Sequence, residues 1–223
     1  MRIRYTIAVG VAALALLLAG CTQPAADQEW EDYPAHANLP ADTVLQGPDE
    51  AETIGRAADL LQQARDKLTA KLGNDSWVEQ HAAQWQDFGG NGYGGKSLLA
   101  AYIAPVWEMR IEVPPNEWDD LIEVVQEVAA ANRLSPLDLD ERAPSGWMSL
   151  GSFHDELGYL EIIVQDARLN KEELKLAEAN DLIVAGIVLS SGGTTIHDAD
   201  REAFMVATKP FEGKKLPPAT SAD

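Results

Sequence analysis

Three short stretches of this 223-residue chain combine residue types that could do chemistry. Gly90-Asn91-Gly92-Tyr93-Gly94-Gly95-Lys96-Ser97 matches G-x-x-x-x-G-K-[ST] letter for letter. In that pattern backbone amides cradle phosphates, while the lysine and the serine hydroxyl complete a nucleotide site. His154-Asp155-Glu156 and His197-Asp198-Ala199-Asp200 each set an imidazole beside carboxylates and together could form an oxygen-rich metal site. Neither spacing is diagnostic, since H-E-x-x-H and the calcium-loop pattern are both missing, so no metal or other cofactor is expected. The plainer reading of these stretches is solvated loop, with Asp198 free to cap a helix ahead of Arg201 to Val206. Ser190-Ser191-Gly192-Gly193 lacks the G-x-S-x-G elbow of a nucleophilic serine, and Gly192 to Thr195 reads as a turn. Trp77, Trp85, Trp107, Trp118 and Trp147 could line a carbohydrate cleft, but belong more simply to the core, Trp118 by its helical spacing.

The weight of the phosphate-loop match depends on where the chain resides. Met1 to Thr6 carries Arg2 and Arg4 and no acid, and Ile7 to Gly20 is wholly apolar or small. This is the layout of an export signal, and the apolar run is too short for the roughly 20 residues of a membrane-spanning helix. It ends in Leu18-Ala19-Gly20-Cys21, which resembles the lipobox of bacterial lipoprotein precursors. The resemblance implies cleavage before Cys21 and attachment of a diacylglycerol to its sulfur. Cys21 is the single cysteine, so no disulfide framework is possible and no thiol remains for metal or redox work. Two acyl chains hold a protein at a bilayer where one gives only marginal binding. The expected location is the extracytoplasmic face of a cell membrane, a compartment poor in ATP and GTP.

The loop's surroundings also argue against nucleotide binding. Val78 to Phe88 is not the continuous apolar strand that should precede such a loop, and the stretch from Ser97 to Ala104, readable as helix, stops at Pro105. The glycines suit a turn with positive φ angles. A further possibility is a ligand- or partner-contacting loop working through Asn91, Tyr93 and Lys96. Trp85-Gln86-Asp87-Phe88-Gly89-Gly90, the glycine-rich run to Lys96 and the Pro114 to Trp118 helix entry resemble the LppA-type lipoproteins of actinobacteria. That resemblance implies an envelope lipoprotein and brings no catalytic motif.

Charge narrows the partners. The formal net charge is -19, and removing residues 1–20 takes away Arg2 and Arg4 and no acid, giving -21. Such a surface repels phosphate backbones, so nucleic acid is not expected. The expected function is a non-enzymatic envelope domain that binds a protein or a small ligand. The alternatives are an immunity-type protein that neutralises a basic toxin, or a hydrolase of an envelope polymer.

The elements that would position these residues are legible in part. Residues 21–48 are rich in Pro, Ala and acids without an apolar period and read as a flexible tether, and residues 209–223 read as a flexible tail. Between them, 49–208 is the size of one domain. Asp49 and Glu52 form a capping-box pattern before Ile54, Ala58, Leu61, Leu68 and Leu72, with Gly73 as the stop. Asn116 is placed to cap a second helix whose apolar face is Trp118, Leu121, Ile122, Val125, Val128 and Ala129. Tyr159 to Gln165 alternates as a strand with one covered face, Leu182 to Leu189 reads as a central strand, and Asn170 begins a short helix between them. Trp147 to Leu150 and the stretch around Trp85 are further strands. The inventory predicts an α+β domain with helices on one face of a mostly antiparallel sheet.

Overall fold

Alternation and helical spacing settle into an eight-stranded, wholly antiparallel sheet with two long helices on one face. The computed structural model describes residues 29–137, 146–180 and 182–220. In chain order the elements are α1 (Ala41–Gln46), α2 (Glu50–Leu72), β1 (Trp77–His81), β2 (Gln84–Asp87), β3 (Ala100–Ile103) and β4 (Val106–Met109). After them come α3 (Trp118–Ala131), β5 (Ser135–Pro136), β6 (Met148–His154), β7 (Gly158–Asp166), α4 (Lys171–Ala179), β8 (Ala185–Thr195) and α5 (Arg201–Thr208). The strand order is β1-β4-β8-β7-β6-β5, and β3, with β2 outside it, pairs with the second half of β8. β8 is thus the central strand, as its apolar run predicts. It continues through Gly192 to Thr195, so this stretch is strand rather than the expected turn.

α2 starts at the expected capping box: the Glu52 amide donates to Asp49 Oδ1 at 2.8 Å and the Asp49 amide to Glu52 Oε2 at 3.3 Å. Gly73 ends it in the left-handed conformation, φ 64°. Its buried face is Ala57, Leu60, Leu61, Ala64 and Leu68, whereas Ile54 and Ala58 point outward. α3 buries Trp118, Leu121, Val125, Val128 and Ala129 as its spacing predicts, but it is entered through a one-turn 3-10 helix at Pro115–Glu117, with no side-chain cap from Asn116. Both helices close over Phe153, Leu160, Ile162, Val164, Ile187 and Leu189. Each fully buried aliphatic side chain in this layer contributes about 1.5–3 kcal/mol.

A second core lies at the other end of the strands and corrects the expected domain limits. Trp30, Tyr33, Ala35, Leu39 and Val44, within the segment predicted as tether, pack with Tyr93, Leu99, Ile196, Phe204 and Phe211. Phe211 itself falls in the predicted tail, whose Pro217 carbonyl accepts from the Tyr93 hydroxyl at 2.8 Å. The Thr220 amide donates to Gly92 O at 2.8 Å. Residues 29–48 and 209–220 are therefore folded. The reason they read as linker is physical: the aromatics that order them lie far apart in sequence and make no local period, yet the rings of Trp30 and Phe211 meet at 5.0 Å. Residues 1–28, including Cys21, and 221–223 lie outside the described residues.

Candidate functional site

The glycine-rich loop closes on itself. Gly90 and Lys96 form an isolated β-bridge, the Asn91 amide donates to Gly95 O at 3.0 Å, and the Ser97 amide donates to Gly89 O at 3.0 Å. Asn91 is fully buried; its Oδ1 accepts from the amides of Tyr93 at 2.9 Å and Gly95 at 3.1 Å. Its Nδ2 donates to the carbonyls of Trp30, Glu31 and Tyr33 at 2.9–3.1 Å. Four of the amides in this loop, those of Asn91, Tyr93, Gly95 and Ser97, are thus already satisfied inside the protein. The loop leads into β3 rather than into a helix, because Ser97–Ala104 becomes a strand from Ala100. Gly95 is required for a different purpose: a Cβ there would lie 1.7 Å from Glu31 O. Of the three candidate contact residues, Asn91 and Tyr93 are buried fasteners for residues 30–33 and 217, and Lys96 alone is exposed.

The two histidine motifs are held in different surroundings. His197 is hydrogen-bonded through Nδ1 to Glu50 Oε1 at the start of α2, and its ring meets the Trp85 ring at 5.1 Å. Asp198 is exposed in a 3-10 turn and caps no helix through its side chain. His154 ends β6, with its Nε2 buried and unpartnered. Asp155 turns away from it to pair with Arg56 and to accept the Leu157 and Gly158 amides at 2.9 and 2.8 Å. Burial opposes ionisation of Asp155, but the Arg56 hydrogen bond, these amides and the Arg56 charge outweigh it and hold the carboxyl below its ordinary value. Among the described residues no three His, Cys, Asp or Glu side chains converge to hold a metal ion. His154 and Asp155 instead line an open cavity of about 630 Å³ with Arg56, Pro136, Leu137 and Leu157.

The largest chemical opportunity is the sheet face turned away from α2 and α3. Register defines its rows, because directly paired antiparallel residues point to the same side. Phe153, Leu160 and Ser191 lie toward the helices; the next row, the buried Ser152 on β6 with Glu161 on β7 and Ser190 on β8, lies on the opposite side, which no helix among the described residues covers. There Ser152 Oγ donates to Glu161 Oε1 at 2.9 Å and Ser190 Oγ to Oε2 at 3.2 Å. A polar row of His154 and Tyr159 borders it on one side, next to the cavity. On the other side runs a row of Leu150, Ile163 and Val188 that continues on β4 with the buried Glu108, which accepts from Arg110 Nε at 2.7 Å. Tyr159 packs over Gly192, where a Cβ would come within 2.7 Å of the ring. Burial, followed by the nearby Glu161 charge, raises the Tyr159 pKa, so its hydroxyl stays protonated and able to donate. Alternation in Tyr159–Gln165 signals an uncovered face, but only the strand order joins the two serines to Glu161.

Trp77, Trp85 and Trp107 pack partly buried beside the main core and Trp118 is buried within it, so these four form structure rather than a cleft. Arg65 of α2 lies over the Trp107 ring at 3.8 Å, a cation–π contact on the helix side. Among the described residues no helix is long and apolar enough to cross a membrane.

The fold is that of an antiparallel sheet covered on one face by two helices and closed at one end by an aromatic second core. No protein-family model matches the chain, and no curated protein or solved structure matches it either.

Proposed function

We propose that this chain is a lipid-anchored lipoprotein of the cell envelope, held on the extracytoplasmic face through Cys21, whose acidic domain binds a protein or a small ligand. The anchor rests on Leu18-Ala19-Gly20-Cys21 after a short apolar run and on the likeness to LppA-type lipoproteins. The binding reading rests on one observation above others: a sheet face that no helix among the described residues covers and that carries an oriented carboxylate. Nucleotide binding is disfavoured, because the amides of Asn91, Tyr93, Gly95 and Ser97 are spent on the loop's own carbonyls and on the Asn91 side chain, and the loop leads into a strand rather than a helix. Nucleic acid is disfavoured by the charge of -19.

A photo-crosslinking residue at Ile163 on the uncovered face, compared with one at Asp59 on the outside of α2, tests the binding reading in intact envelopes. The expected result is a discrete adduct from position 163 and none from 59. Equal labelling at both, or none at either, contradicts it.

A further inference from the structure

We infer that the uncovered sheet face receives an extended segment of a basic protein partner, with a lysine or arginine of that partner seated on Glu161. The inference rests on the binding reading above and adds the chemistry of the occupant.

Glu161 sits at the middle of the sheet, and among the described residues no cation pairs with it. A carboxylate offers about four acceptor positions, and here one on each oxygen is filled by a serine hydroxyl from the strand on either side. The remaining acceptor positions belong to a group whose orientation is fixed in advance. A preorganised acceptor loses little freedom on binding, and an ionised donor makes a hydrogen bond about twice as strong as a neutral one. The adjoining Leu150, Ile163 and Val188 suit the aliphatic stem of a lysine or the apolar neighbours of an extended strand, while Glu108 on β4 in the same row already holds Arg110.

The other occupants fit less well. A second copy docking this face about a two-fold axis would bring Glu161 toward its own equivalent, and like charges repel more strongly once water is excluded. A bilayer carrying anionic headgroups is repelled by a chain whose charge is -19, or -21 once Arg2 and Arg4 are removed with residues 1–20. A basic polypeptide is drawn to it over a distance and then fixed by one specific contact.

The test titrates the mature chain with three short peptides that alternate valine with lysine, glutamine or glutamate, following heat of binding and backbone amide shifts. The lysine peptide is expected to bind, to shift Ser152, Glu161, Val188 and Ser190, and to weaken with added salt. Glu161→Gln should lower its affinity about tenfold, while Asp59→Asn, the same charge change on the helix side, should leave it unchanged. Should Glu161→Gln disturb the fold, Ser152→Ala with Ser190→Ala gives the same readout through loss of the orienting donors. Equal weakening by Glu161→Gln and Asp59→Asn, no binding of the lysine peptide, or self-association through this face would overturn the inference. If the glutamine peptide binds the same face as tightly as the lysine peptide, the cation assignment falls while the binding face stands.

Discussion

Asn91 shows how a residue inside a ligand-binding pattern can serve the fold instead. From a fully buried position its side-chain amide makes three hydrogen bonds to residues 30–33 and two within the glycine-rich loop, fastening one to the other. Asn91→Ala would leave buried carbonyls and amides without partners and should cost about 2–4 kcal/mol, read as a lowered melting temperature. Lys96→Ala, exposed in the same motif, should stay within about 0.5 kcal/mol of the parent. Magnesium with ATP or GTP should shift neither melting curve; a rise would restore the nucleotide reading. Asp155 supplies the pH-sensitive contact at the other end of β6. Its folded pKa lies below the ordinary carboxylate value, so its contribution is complete above the unfolded value near 3.9 and is lost as the pH falls through the folded one. With about a third of its side chain exposed, that contribution is on the order of 1 kcal/mol. Asp155→Asn should therefore be less stable than the parent at pH 7, and the gap in urea midpoints should close below about pH 4.

Elements with a strong local period are legible from the residues alone. The α2 capping box, the α3 apolar face and the alternation of β7 each depend on side chains a few residues apart, and each lies where its pattern predicts. The ends of the domain depend on contacts across more than a hundred positions, such as Trp30 on Phe211, and no local pattern records them. The Ser152–Glu161–Ser190 row is hidden for the same reason, since it needs the order β6-β7-β8 and not merely the strands. The outer boundary is testable by truncation. A chain starting at residue 29 should fold cooperatively. One starting at residue 49, the limit read from composition, strips Trp30, Tyr33, Leu39 and Val44 from the second core and should aggregate or bind a hydrophobic dye. Equal melting curves for the two would contradict the second core. Asp49→Ala, which removes the α2 cap, should cost about 1 kcal/mol.

At the scale of the whole molecule, the folded N-terminal segment would shorten the leash of the proposed lipid anchor. Residues 22–28 alone separate Cys21 from Glu29, and even fully extended that chain reaches only about 27 Å. An anchored domain would therefore be held close to the headgroups by the end that contains the second core, where a composition-based tether would have let it stand farther off. The charge, -19 for the full chain and -21 without Arg2 and Arg4, repels anionic headgroups, which opposes close packing on the bilayer, and favours basic partners. Compartment, leash and partner chemistry all depend on Cys21, so the most direct measurement is the intact mass of the chain extracted from membranes of the cells that make it. Lipid anchoring predicts a polypeptide beginning at Cys21, heavier than its sequence by a diacylglycerol or by that group plus one amide-linked acyl chain, and absent from membranes in Cys21→Ser. A soluble cytosolic chain at its full translated mass of 24.2 kDa, carrying no lipid, would contradict it.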